Sequence, residues 1–204
     1  MRFVVCADPD GDEAVDGATV RGLATELEGH GHVCHLALDP GTLPPPENDD
    51  WLHVTSGFAL HDSGSSRVLQ VVGACLGAVS VDLFLANDDE DVLAHWEVLD
   101  PLLQLVGLAG GILFARASDV AALCGDPDQD PVMVGQAWAE AYGLALCVVA
   151  DDVRVSAVKA DGRTTAASRG PEALDREALG QLVGGFLTSY GNNPAGLEAA
   201  LHGA

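Results

Sequence analysis

Short apolar runs alternate with amphipathic segments from the start of the chain. The run Phe3 to Cys6 is apolar throughout and predicts a buried strand, and the apolar residues between Val20 and Leu27 recur at helical spacing. Gly29 is typical of a helix end, and residues 32–38 resume as a strand. The opening segment is therefore expected to be a strand–helix–strand unit.

The same alternation continues from Trp51 to the end of the chain. It predicts, in order, strand 51–56, helix 65–76, strand 78–85, helix 89–106, strand 111–115, helix 118–124, helix 132–142, strand 144–150, strand 153–158 and helix 172–190. Strands that alternate with such helices are joined by crossovers, which favour parallel pairing. The predicted fold class is α/β, a mostly parallel, doubly wound sheet with helices on both faces in three α/β/α layers. Ligands of such sheets bind at the carboxyl ends of the strands.

One domain is expected over residues 1–204, because this length suits a single core. Within it, 1–38 form the opening unit and 51–204 form the main core. The stretch 39–50, DPGTLPPPENDD, separates them, and its clustered prolines predict a surface loop. This loop is a connection rather than a domain boundary, because the opening unit is too short to fold alone.

The charge of the chain excludes several classes of partner. Against 31 acidic residues stand only 9 Lys and Arg, which gives a formal net charge of −22. Such a surface repels nucleic acid and anionic lipid. No apolar stretch is long enough to span a bilayer, and the N-terminal segment turns acidic before a signal-peptide core develops. No nucleic acid or membrane partner is expected, and the predicted location is cytoplasmic.

Neither cysteines nor histidines predict a disulfide framework or a metal site. The five cysteines are odd in number, widely spaced and mostly in apolar runs, as in reduced proteins: Cys6, Cys34, Cys75, Cys124 and Cys147. The dense group at 30–35 (His30, His32, Cys34 and His35) lacks the second ligand cluster that zinc needs. The acidic run Asp8, Asp10 and Asp12 lacks the glycine and terminal Glu of a calcium loop. No metal is therefore expected.

The commonest catalytic signatures are also absent. The sequence contains no GxxxxGK[ST] loop and no GxSxG elbow, and no GxGxxG motif follows the first strand. His53 and His61 flank the turn after the third strand, where ligand groups often lie, but an isolated surface histidine usually has no catalytic role. No catalytic residue is assigned on these grounds.

Four short motifs follow the predicted elements in a fixed order. They are Ser56-Gly57-Phe58, Val81-Asp82, Phe114-Ala115-Arg116 and Leu123-Cys124-Gly125. In this order they resemble the ribokinase-like (PfkB) carbohydrate and nucleoside kinases, whose corresponding elements end in Ser-Gly-Tyr, Val-Asp, Phe-Ala-Asn and Thr-Gly. Residues 182–204 resemble the C-terminal helix pair of that family. The resemblance covers roughly the last three quarters of the chain and implies a ribokinase-like fold.

Three motifs that carry the chemistry of that family are replaced. The family's Asn-x-x-Glu, which helps to organise metal and phosphates, reads Arg116-Ala117-Ser118-Asp119. Its Thr-x-Gly-x-x-Gly nucleotide turn reads 150–155, with Asp151 and Asp152 and without glycine. Its Gly-Ala-Gly-Asp anion hole and base reads Glu177-Ala178-Leu179-Gly180. Loss of a general base and of preorganised donors removes about 10⁴-fold or more in rate.

The resemblance therefore implies a catalytically degenerate sugar-kinase homologue, a pseudokinase that acts as a small-molecule-binding or protein-interaction module. A ligand pocket is expected at Asp82, Arg116, Asp119, Asp151 and Gly180. No cofactor is expected. A homodimer is predicted as well, because a shortened sheet leaves an edge or an apolar helix face to cover.

Two alternatives stay open. The first is an active ATP- and magnesium-dependent small-molecule kinase with a rebuilt site, in which Arg116 replaces metal charge and Asp82 or Asp119 acts as base. The second is a nucleotide-sugar-dependent transferase, because the opening forty residues suit that class too, with a site near Ala7 and Asp8.

Overall fold

The structure is a computed structural model of the chain. It describes residues 1–7, 16–37, 47, 49–60, 65–75, 77–85, 92–169 and 174–203. The expectations that involve Asp8, Asp10, Asp12 and His61, and most of the loop 39–50, lie outside these residues.

Eight strands and eight helices make up the described part of the chain. The strands are β1 Arg2–Cys6, β2 Val33–Ala37, β3 Asp50–Val54, β4 Ala78–Leu83, β5 Ile112–Arg116, β6 Leu146–Ala150, β7 Arg154–Val158 and β8 Thr164–Ser168. The helices are α1 Asp16–Gly29, α2 Ser56–Leu60, α3 Ser65–Ala74, α4 Val92–Leu108, α5 Ala117–Cys124, α6 Pro131–Tyr142, α7 Arg176–Asn192 and α8 Leu197–His202.

All eight strands belong to one sheet, in the order β2-β1-β3-β4-β5-β6-β7-β8. Strands β1 to β6 pair in parallel, and β7 and β8 add an antiparallel edge. The chain reverses its direction of winding between β1 and β3, as in other doubly wound sheets. The predicted α/β class is confirmed, and the two strands of the opening unit join the main sheet.

Two apolar layers bury the faces of the sheet. One face packs on α2 to α6 through residues such as Leu99 and Trp138, and the other packs on α1, α7 and α8 through residues such as Leu23 and Phe186. Both faces of the central strands are covered, which explains why these strands read as continuous apolar runs. The result is the three-layer α/β/α arrangement. Among the described residues, no helix is long and apolar enough to cross a membrane.

An ion pair joins the first residues of β1 and β3. Arg2 Nε donates to Asp50 Oδ1 at 2.8 Å, Arg2 Nη2 donates to Asp50 Oδ2, and the Glu47 N–H donates to Asp50 Oδ2 at 2.6 Å. The hydrogen bonds from Arg2 hold the pKa of the Asp50 carboxyl below its ordinary value, against the opposing effect of burial. Because the pKa of Asp50 is lower in the folded state than in the unfolded state, its ionised carboxylate stabilises the fold at pH values above the unfolded-state pKa.

We expect Asp50→Asn to lower the urea midpoint at pH 7. The difference from the wild type should shrink as the pH falls below about 5 and vanish once the wild-type Asp50 is protonated in the folded state as well. Urea titrations at a series of pH values measure this. Glu47→Gln is the control, because Glu47 lies 3.7 Å from Arg2 and its side chain is 80% exposed. A pH-independent difference for Asp50→Asn would contradict the role of this charge.

Candidate functional site

A pocket lies at the carboxyl edge of β5 and β6, where the predicted fold places ligands. Its volume is about 230 Å³, and it is lined by Arg116, Ala117, Ser118, Asp151, Asp152 and Leu174. Arg116 and Asp151, two of the five residues predicted for the pocket, are therefore part of its lining. The other three, Asp82, Asp119 and Gly180, have different surroundings.

Arg116 ends β5, and its guanidinium forms a two-bond ion pair with Asp119 in the first turn of α5. Arg116 Nη2 donates to Asp119 Oδ1 at 2.7 Å, and Nε donates to Oδ2 at 3.1 Å. Asp119 is only 4% exposed. Burial raises the pKa of this carboxyl, and the hydrogen bonds and charge of Arg116 oppose the rise. The charge that Arg116 brings to the pocket is thus largely balanced within the protein.

The turn after β6 is built on the carboxylate of Asp151. Asp151 Oδ1 accepts hydrogen bonds from the N–H groups of Val153 and Arg154, both at 2.8 Å. The neighbouring Asp152 Oδ1 accepts from the Leu174 N–H at 3.2 Å. A turn that approaches a phosphate uses such N–H groups as donors. Here the Asp151 side chain already accepts from the two N–H groups of the turn.

At the N-terminus of α7 a backbone N–H group likewise donates to a carboxylate of the protein. Asp175 is the residue before the helix, and its Oδ1 accepts from the Ala178 N–H at 2.8 Å. The next residue, Arg176, donates through Nη1 to the Phe84 carbonyl at 2.7 Å and through Nη2 to the Leu85 carbonyl. The N-terminus of α7, the positive end of the helix dipole, is therefore capped by a carboxylate. The side chain of Arg176, the first residue of the helix, is hydrogen-bonded to the two residues that follow β4.

Asp82 belongs to a buried polar network instead of the pocket. Asp82 Oδ1 accepts from the Ser56 N–H at 2.9 Å and from Ser56 Oγ at 3.0 Å, and Oδ2 lies 3.2 Å from His53 Nε2. His53 Nδ1 lies 2.9 Å from Ser80 Oγ, and Trp51 Nε1 donates to the same oxygen at 2.9 Å. All five side chains are buried.

Every polar side chain of this network has a partner within hydrogen-bonding distance. Trp51 Nε1 donates to Ser80 Oγ, and the two ring nitrogens of His53 contact Ser80 on one side and Asp82 on the other. The interpretation of His53 as a surface histidine is wrong, because its side chain is fully buried and its strand, β3, lies between β1 and β4 in the sheet. This serine, histidine and aspartate are thus buried within the sheet and do not line the pocket at β5 and β6.

Gly180 lies inside α7 and packs on α1. A Cβ atom there would stand 1.9 Å from the Thr19 carbonyl oxygen and 2.7 Å from the Leu23 nitrogen. Two further glycines, Gly22 and Gly184, also allow close approaches between the same helices. The prediction that placed Gly180 in the pocket is corrected by this packing, because Gly180 has α1 as its neighbour and does not line the pocket.

The nucleotide-sugar alternative places its site near Ala7 and Asp8, and Ala7 directly follows β1. The Thr55 N–H and Thr55 Oγ1 both donate to the Cys6 carbonyl, at 3.0 and 3.1 Å, and Ala7 is only 2% exposed. These contacts join the ends of β1 and β3, and Asp8, the other residue of this alternative, lies outside the described residues.

Sequence reasoning missed Asp175, Arg176 and Ser80. Asp175 stands directly before an Arg-Glu-Ala-Leu helix start, a pattern typical of a helix N-cap that would have identified it. Ser80 alternates with Asp82 along β4, so both side chains had to lie on one face of the sheet. The partner of both, His53, is 27 residues away from Ser80, and sequence spacing does not reveal that pairing.

No protein-family model and no curated protein matches the chain. Solved structures match it over nearly its whole length at low identity. A fructokinase from Vibrio cholerae with fructose, ADP and calcium is 16% identical with a TM-score of 0.71, over 99% of this chain and 89% of that one. An ADP complex of Bacillus subtilis pyridoxal kinase is 9% identical with a TM-score of 0.67, over 99% and 88%.

A third similar structure is aminoimidazole riboside kinase from Salmonella enterica, with aminoimidazole riboside and an ATP analogue. It is 15% identical with a TM-score of 0.62, over 99% of this chain and 75% of that one. These enzymes act on different substrates, and at such low identity their shared feature with this chain is the fold. The resemblance inferred from the motif order is confirmed at that level: the chain has the ribokinase-like (PfkB) fold.

Proposed function

We propose that this protein is a pseudokinase, a ribokinase-fold binding module that does not transfer phosphate. The main observation behind this proposal is that the protein's own carboxylates accept hydrogen bonds from the backbone N–H groups that a phosphate would use. Asp151 accepts from two N–H groups in the turn after β6, and Asp175 accepts from one at the start of α7. A bound phosphate would have to displace them or lie beside their negative charge.

The size and lining of the pocket support the same proposal. About 230 Å³ is below the roughly 300–1,000 Å³ typical of sites for drug-sized ligands. Two carboxylates line it, and the guanidinium of Arg116 is bonded to Asp119. These residues do not fit a magnesium nucleoside triphosphate, because the pocket is small and its carboxylates repel the phosphates.

The alternative of an active kinase needs a general base at Asp82 or Asp119. Both carboxylates are at most 4% exposed, and each oxygen of both is within hydrogen-bonding distance of a protein group. A general base has to reach the proton that it removes. The positions of these residues therefore favour a structural role.

What the module binds is a small molecule or a protein partner. Nucleic acid and membranes are poor partners for a chain of net charge −22. The five cysteines are free, and three of them are buried, as is usual in a reducing compartment. A cytoplasmic location is part of the proposal.

Phosphoryl transfer is the activity that tests this proposal. We expect no ATP consumption above the rate without protein, with magnesium present, across a panel of sugars, nucleosides and aminopyrimidines. Substrate-dependent turnover of any panel member would overturn the proposal and favour the active-kinase alternative.

The same proposal predicts a gain of anion binding when the pocket carboxylates lose their charge. The double variant Asp151→Asn with Asp152→Asn should bind inorganic phosphate at least tenfold more tightly than the wild type, as measured by calorimetry. Asp126→Asn with Asp128→Asn is the matched control, because it removes two exposed carboxylates from the α5–α6 loop. Equal affinities in the two double variants would show that the pocket carboxylates do not exclude anions.

A further inference from the structure

Strand β2 is an edge of the sheet, and its outer side has no partner strand in the described residues. The Val33 N–H donates to the Met1 carbonyl at 3.3 Å, and the Ala7 N–H donates to the Ala37 carbonyl at 3.1 Å. In a parallel ladder the N–H and C=O of a residue face the same neighbour, and successive residues face opposite neighbours. The backbone groups of Cys34 and Leu36 therefore face away from β1.

The composition of β2 is typical of a strand in the interior of a sheet and not of an exposed edge. Its sequence is Val-Cys-His-Leu-Ala, yet Val33 is 63% exposed and Leu36 is 42% exposed. The two lie on opposite faces of the sheet, so apolar surface flanks the open edge on both sides. Proteins usually protect such an edge with lysine, proline or a bulge, and none of these occurs in β2. The opposite edge, β8, has the polar sequence Thr-Thr-Ala-Ala-Ser and packs against α8.

The charge around β2 favours a second copy of this chain as the occupant. A net charge of −22 makes most approaches between two copies repulsive. Strand β2 has no Asp, Glu, Lys or Arg. Of the carboxylates on the adjoining end of α1, Glu26 is paired with His30 at 3.0 Å, and Glu28 lies close enough to Cys34 to contribute to the raised pKa of that thiol. The paired strands themselves therefore place no charged side chains opposite each other when two copies meet along β2.

We propose that β2 pairs with β2 of a second copy in antiparallel orientation about a two-fold axis at His35. Cys34 of each copy then exchanges both backbone hydrogen bonds with Leu36 of the other. The outward-facing backbone groups are self-complementary, as a two-fold interface requires. The two sheets join into one of sixteen strands, and His35 lies opposite its own symmetry mate in a pair without hydrogen bonds.

The mass in solution is the primary test. Light scattering over a concentration series should give twice the mass of one chain for the wild type. Leu36→Pro should give a single chain, because it removes an outward N–H and leaves the pairing with β1 intact. Leu36→Thr, which keeps that N–H, should still form the dimer. Circular dichroism establishes that each variant is folded. A monomeric wild type, including one that pairs only with a different protein, or a dimeric Leu36→Pro would overturn the proposal.

Disulfide trapping tests the register independently. In the proposed pairing, residue 35 faces its own mate with Cα atoms about 4.5 Å apart, within the range that a disulfide spans. His35→Cys should therefore yield a covalent dimer under mild oxidation, whereas Val33→Cys, on the same strand, should not. The native Cys34 is a poor competitor, because burial raises its pKa to about 11. Equal cross-linking at 33 and 35, or none at 35, would refute the register.

Discussion

Replacing Gly180 with alanine is expected to destabilise the fold by about 3 kcal/mol or more, because the added methyl group meets backbone atoms that cannot move alone. The Cβ would stand 1.9 Å from the Thr19 carbonyl oxygen, so α1 and α7 would have to separate. Overpacking of this kind costs about 1–3 kcal/mol when side chains can adjust, and more when they cannot. Thermal unfolding should show a midpoint lower by roughly 6–12 °C for a chain of this size.

Gly73→Ala is the matched control for that variant. Gly73 lies in α3, and its added Cβ would contact only the Leu105 side chain, at an ordinary distance of 3.8 Å. Alanine in a helix should be neutral or stabilise by up to about 1 kcal/mol. Equal stability of the wild type and Gly180→Ala would contradict the close packing of α1 on α7 and reopen a role for Gly180 at the pocket.

Removal of the Asp82 carboxylate should have an effect of similar size. In Asp82→Ala the Ser56 N–H and the His53 ring lose their acceptor inside the sheet. Buried donors without partners cost about 1–3 kcal/mol each, and this variant leaves at least two of them. We expect a loss of about 3–5 kcal/mol in urea unfolding.

Two further variants make the Asp82 prediction specific. Asp82→Asn keeps an acceptor for the Ser56 N–H and should lose less stability than Asp82→Ala. Asp128→Ala removes an exposed carboxylate and should change stability by no more than about 0.5 kcal/mol. If Asp82→Ala behaved like Asp128→Ala, the carboxylate would not hold the network together.

The main strands and helices could be predicted from the sequence because burial of both sheet faces leaves continuous apolar runs. The run 144–150 predicted β6, and the periodic segment 132–142 predicted α6 to within one residue. Helix α2 and strand β8 were not predicted. Each has five residues, and the small and polar residues of β8 have no apolar periodicity.

The candidate site was harder to predict, because its contacts join distant parts of the chain. The motif comparison placed the anion hole on Glu177 to Gly180, whereas α7 begins at Arg176 and is capped by Asp175. That offset puts Gly180 a turn inside the helix, where packing on α1 determines its role. The ion pair of Arg116 with Asp119 spans three residues and was within reach of sequence reasoning. The bonds from Arg176 to Phe84 and Leu85 were not, because they cross more than ninety residues.

Equilibrium binding of ATP tests the central claim most directly. Titration of the wild-type protein with ATP and magnesium in a calorimeter, up to millimolar nucleotide, should give no saturable heat, because Asp151 and Asp175 already accept from the donors that phosphates need. Saturable binding with a dissociation constant at or below about 1 mM, which corresponds to a binding free energy of about −4 kcal/mol or stronger, would contradict the account.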